Sequence, residues 1–354
     1  MFLFIFSFIL TQRILTKRIL IVRTDRVGDV VMITPMIREI KKKFPDSFLA
    51  TLTNPNTAKI LTNNPYVDEI IIDDLSNKTF WKVVKQLRAF NFTDGLLAMP
   101  TERAAYQMMF AGIKTRVGEG HKLYEVISGM RSVDRHNYTP LKHETEYCLD
   151  TARKIGVKTV NQELEIFVRD DEKKEALEFL NKYGIEDTDY KIILHTGSLG
   201  SSPNWSEDKY LLLVKEMLKL QIPNMKVVLT AIEMSDIFLK NVKSLNDDRV
   251  INISGIWGDL RQFIKIISVM DLFISNSTGP LHIADALDRK CIGLNCRRPM
   301  RSVKYWGILN KRSINLEVPE EYCNKNCSAD KKVCCIEDGI SIDQVIEGIK
   351  TLID

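Results

Sequence analysis

Asp271–Asp285 reads DLFISNSTGPLHIAD. Leu272, Phe273 and Ile274 form a short apolar run of the kind that makes a buried strand. The polar turn Asn276-Ser277-Thr278-Gly279 follows, and Pro280 suits the first position of a helix. Ser or Thr just ahead of that Pro is placed to cap the free amides of the first turn. A strand that runs through small residues into a helix N-terminus presents backbone N–H groups and partial positive charge, which is a phosphate site in outline. The same pattern also describes an ordinary strand–helix joint.

Two further joints have the same construction. Arg18–Arg23 (RILIVR) is a strand, followed by Thr24-Asp25-Arg26-Val27-Gly28-Asp29 and a helical run over Val30–Lys43. Lys191–His195 (KIILH) is another, leading through Thr196-Gly197-Ser198-Leu199-Gly200 and Trp205 to a helix near Ser206. Between them the pattern alternates. Strands are expected at Phe48–Thr53, Glu69–Ile72 and Asp94–Ala98, then at 226–230, 249–253 and 290–294. Helices are expected at 56–62, 79–89, 103–111, 143–155, 169–180, 206–220, 258–269, 280–287 and 341–353. Strand–helix alternation implies parallel sheets covered on both faces, an α/β protein. KYGIEDTDY at Lys182–Tyr190 reads as the linker between two Rossmann-like halves. The expected organisation is an apolar extension over 1–17, an N-terminal half over 18–181, a linker over 182–190, and a C-terminal half over 191–354. A cleft between such halves receives ligands at the carboxyl ends of the strands.

Three segments, in this order, resemble the heptosyltransferases of glycosyltransferase family nine. RTDRVGDVVMITPMI matches the family's Gly-Asp opening, LHTGSLGSSPNW its His-x-Gly-Ser…Trp loop, and SNSTGPLHIADAL its Ser/Thr-Gly-Pro-x-His signature. His143–Tyr147 and Tyr305-Trp306-Gly307 add minor agreement, so the likeness runs from about residue 18 to about 350. It implies an inverting transferase of the two-domain GT-B fold. The donor would be an ADP-heptose-like nucleotide sugar, and the acceptor a membrane-anchored, lipopolysaccharide-type saccharide. The alternatives are a relative that uses a different nucleotide sugar, a sugar-nucleotide epimerase of the same two-domain architecture, and a nucleotide-sugar binder without catalysis.

Such a transfer needs a base for the acceptor hydroxyl and a stabiliser for the departing diphosphate. The resemblance makes Asp29 the base, although Asp at a helix start is also a common cap. It makes Arg26 an acceptor-side residue. Thr196, Gly197, Ser198, Glu233, Ser277, Thr278, Gly279 and His282 become the donor site. From the residues alone, Glu233 is equally a surface acid and His282 equally a packed core histidine. No Asp-x-Asp motif suited to a metal-held diphosphate occurs, so neither a metal nor a cofactor is expected there. The chain departs from the family pattern at Ser277, where an inner-core enzyme has Asp, and at Pro203, where a phosphate-binding Lys is common. Arg297, Arg298 and Lys304 are the cations available to compensate.

Composition is consistent with this. The chain of 354 residues carries a formal net charge of +4. Residues 1–168 hold 24 basic against 18 acidic side chains, and the remainder 26 against 28. The basic half suits an anionic partner or is simply a solvated surface; no nucleic-acid partner is expected. No Gly-x-Gly-x-x-Gly follows a strand and no Walker loop occurs, which argues against nicotinamide, flavin and P-loop enzymes. MFLFIFSFIL at Met1–Leu10 is too short for a bilayer span, and its basic residues follow it, unlike those of a signal peptide. It is either an interfacial foot at the inner membrane or an over-extended start, on a protein expected to be cytoplasmic. Cys323, Cys327, Cys334 and Cys335 crowd into CNKNCSADKKVCC. The first two have zinc-type spacing, but adjacent Cys334 and Cys335 point apart. Cysteines are common here in the resembled family, and the cluster reads as a structural loop.

Overall fold

The computed structural model describes residues 16–135, 139–198, 200, 202–327 and 334–353. Met1–Leu10, the candidate membrane foot, lies outside them. Two six-stranded parallel sheets form the frame. The first has order β3-β2-β1-β4-β5-β6, with β1 Arg18–Val22, β2 Phe48–Thr53, β3 Glu69–Ile72, β4 Asp94–Leu97, β5 Thr115–Glu119 and β6 Arg131–Val133. The second has order β12-β11-β10-β7-β8-β9. Its strands are β7 Tyr190–His195, β8 Met225–Thr230, β9 Val250–Asn252, β10 Leu272–Asn276, β11 Lys290–Asn295 and β12 Ile314–Glu317. The central strands are continuous apolar runs because helices cover both of their faces. Ile19–Val22 and Leu272–Ile274 are fully buried.

In each sheet the strand order reverses beside the central strand, so the loops after β1, β7 and β10 open at the carboxyl edges. One buried cluster runs across both sheets, joining Ile19, Ile21, Val30 and Met36 to Ile193, Phe273, Leu281 and Ile283. Each sheet also has a core on its outer face. At the cleft the two halves meet through two helix starts, Val27–Val31 and Gly279–Ala286. They meet through glycines: a Cβ on Gly28 would lie 3.6 Å from the Gly279 Cα. The tighter limit is at Gly279, where a Cβ would fall 2.9 Å from Val27 Cγ1 and 3.3 Å from the Gly28 amide nitrogen, so a residue without a side chain is required there.

The crossing segment after residue 157 is pinned at several points. Arg38 Nη1 donates to the Glu163 carbonyl, and the Ile166 amide to that of Ala286. Helix Asp170–Asn181 packs on helix Leu260–Ser268, with Glu172 paired to Arg261 and also accepting from Asn63. Among the described residues, no helix is long and apolar enough to cross a membrane.

The helix expected over Val30–Lys43 is two helices, Val27–Val31 and Thr34–Lys43. Pro35 has no N–H to continue the first and sits in the opening turn of the second. Residues 58–61 form a short 3₁₀ turn where a helix was expected. Strands β5, β6 and β12 carry too many polar residues to register as strands in the sequence.

Candidate active site

Arg23 leaves β1 with its side chain only 3% exposed. A buried guanidinium has to be met on every side. Its Nε donates to Asp25, Nη2 to Asp29 at 2.6 Å, and Nη1 both to Glu144 at 2.9 Å and to the Ala98 carbonyl. Burial disfavours its charge, but Asp25, Glu144 and Asp29 outweigh that and hold its pKa well above the ordinary value. Glu144 also accepts from Arg135 and from the Tyr305 hydroxyl, and Arg135 pairs with Glu119. Burial opposes the Glu144 charge, but Arg23 and Arg135 keep its pKa below the usual range. Burial pushes Glu119 up to about 7 and Asp25 up to about 6, in each case against the pull of an arginine.

Asp29 stands on this base. It does not cap its helix: the cap residue is Arg26, and the helix has no side-chain cap bond. Oδ1 takes the Arg23 bond, while Oδ2 makes no hydrogen bond among the described residues. Asp29 lines a cavity of about 380 Å³ with Arg26, Gly28, Ser277, Thr278, Gly279, His282, Arg301 and Trp306. A second cavity of about 770 Å³ adjoins it and holds Thr196, Gly197, Ser198, Glu233, His195 and Trp257. Asp25, Arg26, Gly28, Thr278 and Gly279 line both, so the two are parts of one cleft. The structure therefore brings all the sequence-derived candidates to one place.

Their local roles differ from the sequence expectation in several respects. Thr278 is the cap residue of Gly279–Ala286, but its hydroxyl turns to the Ser275 hydroxyl instead of to the helix amides. The amides of Gly279 and Leu281 thus stay available, Pro280 having none. His282 is buried against Trp306, with Nδ1 lacking a partner among the described residues. Burial, with His143 nearby, lowers its pKa to about 3, so the ring is neutral at ordinary pH. His195 is likewise lowered by burial, to about 4, and its Nδ1 lies 3.0 Å from the Thr230 hydroxyl. Glu233 is exposed on the wall of the larger cavity. Opposite it, Trp257 stacks on Phe263 at 4.5 Å between ring centroids.

Of the three cations named from the sequence, none lines either cavity, Lys304 included. Arg297 pairs with Glu317 and Glu320, and Arg298 reaches Cys327. Arg26 and Arg301 are the cations lining the smaller cavity, and neither has a carboxylate partner among the described residues. Pro203 has a structural use. Its carbonyl accepts from the Asn276 amide at 2.7 Å, and Asn204 bonds both Asn276 and the Thr196 carbonyl. This knot ties the loop after β7 to the end of β10.

Residues 80–336 match the family model for glycosyltransferase family 9 (heptosyltransferase). The chain belongs to glycosyltransferase family 9. It is 27% identical over 303 residues to a Haemophilus influenzae protein provisionally described as a glycosyltransferase, covering 83% of this chain and 86% of that one. It is 25% identical over 319 residues to the lipopolysaccharide core heptosyltransferase OpsX of the same organism, covering 88% of each. Among solved structures, a family 9 glycosyl transferase from Veillonella parvula superposes with a TM-score of 0.80 at 20% identity, covering 95% of this chain and 97% of that one. The E. coli ADP-heptose lipopolysaccharide heptosyltransferase II gives 0.75 at 18% identity, covering 95% and 98%. The pair of parallel six-stranded sheets is the GT-B architecture of these enzymes. Arg23, Glu144 and Arg301 were not assigned to the site from the sequence. The signal for Arg23 was a basic residue at the end of a buried strand, six positions before the Gly-Asp acid, and that for Glu144 its place in the His143–Tyr147 segment.

Proposed function

We propose that this family 9 glycosyltransferase moves a heptose-like sugar from an ADP donor to a lipopolysaccharide-type acceptor, with inversion at the anomeric carbon. The reading is carried by one observation: the unpaired Oδ2 side of Asp29 and the open helix start at Gly279 share a single cavity. The relatives named for lipopolysaccharide heptose transfer support the substrate class.

In this mechanism Arg23 fixes the Asp29 carboxylate through Oδ1. Oδ2 takes the proton of the acceptor hydroxyl as its oxygen attacks the anomeric carbon. The bond from that carbon to the diphosphate oxygen breaks on the opposite face, and its electron pair leaves with ADP. Helix amides at Gly279 and Leu281, with Arg301, stabilise the charge that develops there. Neutral His282 offers a hydrogen bond and no added charge. The larger cavity takes the nucleoside, with Ile232 and Trp257 against the base and Glu233 toward the ribose. These donors serve in place of a metal. Work on a membrane-anchored acceptor would take place at the cytoplasmic face of the inner membrane, with Arg26 on the acceptor side.

Asp29→Asn tests the reading. Transfer from ADP-heptose to a deacylated core acceptor should fall at least about 10²-fold in kcat, while ADP binding by calorimetry is unchanged. Near-normal turnover of the variant would remove Asp29 from the mechanism.

A further inference from the structure

Five of the seven cysteines meet far from Asp25 and Asp29, at the rim of the second sheet. Cys323 lies on helix Glu320–Asn326, and Cys327 ends that helix. Cys335 precedes helix Ile336–Gly339. Their sulfurs lie within 4.8 Å of one another, with Cys323–Cys327 at 3.6 Å and Cys327–Cys335 at 3.1 Å. The awkward neighbours separate as their geometry requires. Cys335 turns to this trio, and Cys334 turns to Cys296, 3.6 Å away at the end of β11.

We propose that Cys323, Cys327, Cys335 and Cys296 hold a single tetrahedral zinc ion. With zinc–sulfur bonds of about 2.3 Å, the sulfurs of a tetrahedral site stand about 3.8 Å apart. The separations within the trio are close to that size, so its three sulfurs fit one ion and leave no room for a multinuclear cluster. Four thiolates are the soft donor set that selects zinc over calcium or magnesium. The surroundings suit negative sulfur: the Cys335 amide donates to the Cys327 Sγ at 3.4 Å, and Arg298 hydrogen-bonds the same residue. Cys296 stands outside the close trio, against Cys334 and within reach of the charges on Cys327 and Cys323. It becomes the fourth ligand by turning from Cys334 toward the ion, a turn that Cys334 cannot make while its neighbour Cys335 is bound. Binding exchanges each thiol proton for the metal and releases it to solvent.

The ion would be a positioning element for the cleft. Cys296 starts the segment that carries Met300, Arg301 and Trp306 to the smaller cavity. On the other side, the Ile336 carbonyl accepts from Trp205, and Glu337 accepts from the amide and hydroxyl of Ser206. One ion would thus tether the chain on both flanks of the donor loops.

Metal analysis of the full chain, purified reduced without an affinity metal tag, should find about one zinc per chain. Replacement by Co²⁺ should give the intense visible bands of tetrahedral cobalt thiolate, a test that needs no variant. Cys323→Ser and Cys335→Ser should lose stoichiometric metal, whereas Cys291→Ala, away from the site, should keep it. Cys334→Ser should also keep it. Failure of the reduced wild-type chain to take up zinc, or a weak octahedral cobalt spectrum, overturns the proposal. So does full retention of zinc in Cys323→Ser.

Discussion

Gly279→Ala is the sharpest test of how the two halves meet. A Cβ built at Gly279 falls 2.9 Å from Val27 Cγ1, 3.0 Å from Val27 Cβ and 3.3 Å from the Gly28 amide nitrogen. Carbon contacts are comfortable at about 3.5–4.0 Å, so two of these are short by about half an ångström or more. Rotating Val27 relieves the Cγ1 contact but not the Cβ or the backbone one. The helix start must therefore move, and overpacking of this kind costs about 1–3 kcal/mol. We expect about 2 kcal/mol, measured by urea unfolding followed through tryptophan fluorescence. Val27→Gly removes both side-chain contacts, so the double variant should recover about 1 kcal/mol relative to additivity. A Gly279→Ala protein as stable as wild type, or strict additivity, would refute the glycine contact. The prediction also bears on any donor-binding experiment at this position: a larger residue strikes Val27 before it reaches a ligand.

Arg23→Met should destabilise the chain by about 3 kcal/mol in the same assay, because Glu144 stays buried after losing one of its two arginines. Arg301→Ala should weaken ADP binding about tenfold in calorimetry with little change in unfolding, as expected for losing one charge-assisted bond at an otherwise intact site. His195, ordinarily near 6.5, is lowered to about 4, so the unfolded chain binds its proton first as pH falls. The stability this residue contributes is present above pH 6.5 and is lost on acidification toward pH 4. His195→Gln should therefore gain about 2 kcal/mol on wild type between pH 6.5 and pH 5, read from paired denaturation curves.

What could be read in the sequence follows the physics of burial. Strands β1 and β10 announce themselves because helices cover both of their faces and demand unbroken apolar runs. Strand β5 (Thr115–Glu119) does not, because Arg116 bonds the Ser128 carbonyl and Glu119 is neutralised by Arg135. Those partners exist only once the chain is folded. The cleft shows the same division. Gly28, Asp29 and Ser277–Gly279 are legible because strand-to-helix joints are local. The support beneath Asp29 is not, because Arg23 and Glu144 lie 121 positions apart. The cysteine run betrayed a cluster, but Cys296, 38 residues before Cys334, gave no sign of joining it.

The arginine network under Asp29 has a further consequence. Two guanidiniums, Arg23 and Arg135, face four carboxyl groups, Asp25, Asp29, Glu119 and Glu144. Asp25 and Glu119, lifted to about 6 and about 7, give up that surplus of negative charge one proton at a time near neutrality. The floor of the cleft is in this sense a small buffer. Asp25 shares the Arg23 guanidinium with Asp29, and Glu119 is linked to it further off through Arg135 and Glu144, so the carboxylate proposed to receive a proton belongs to a network that holds exchangeable protons of its own.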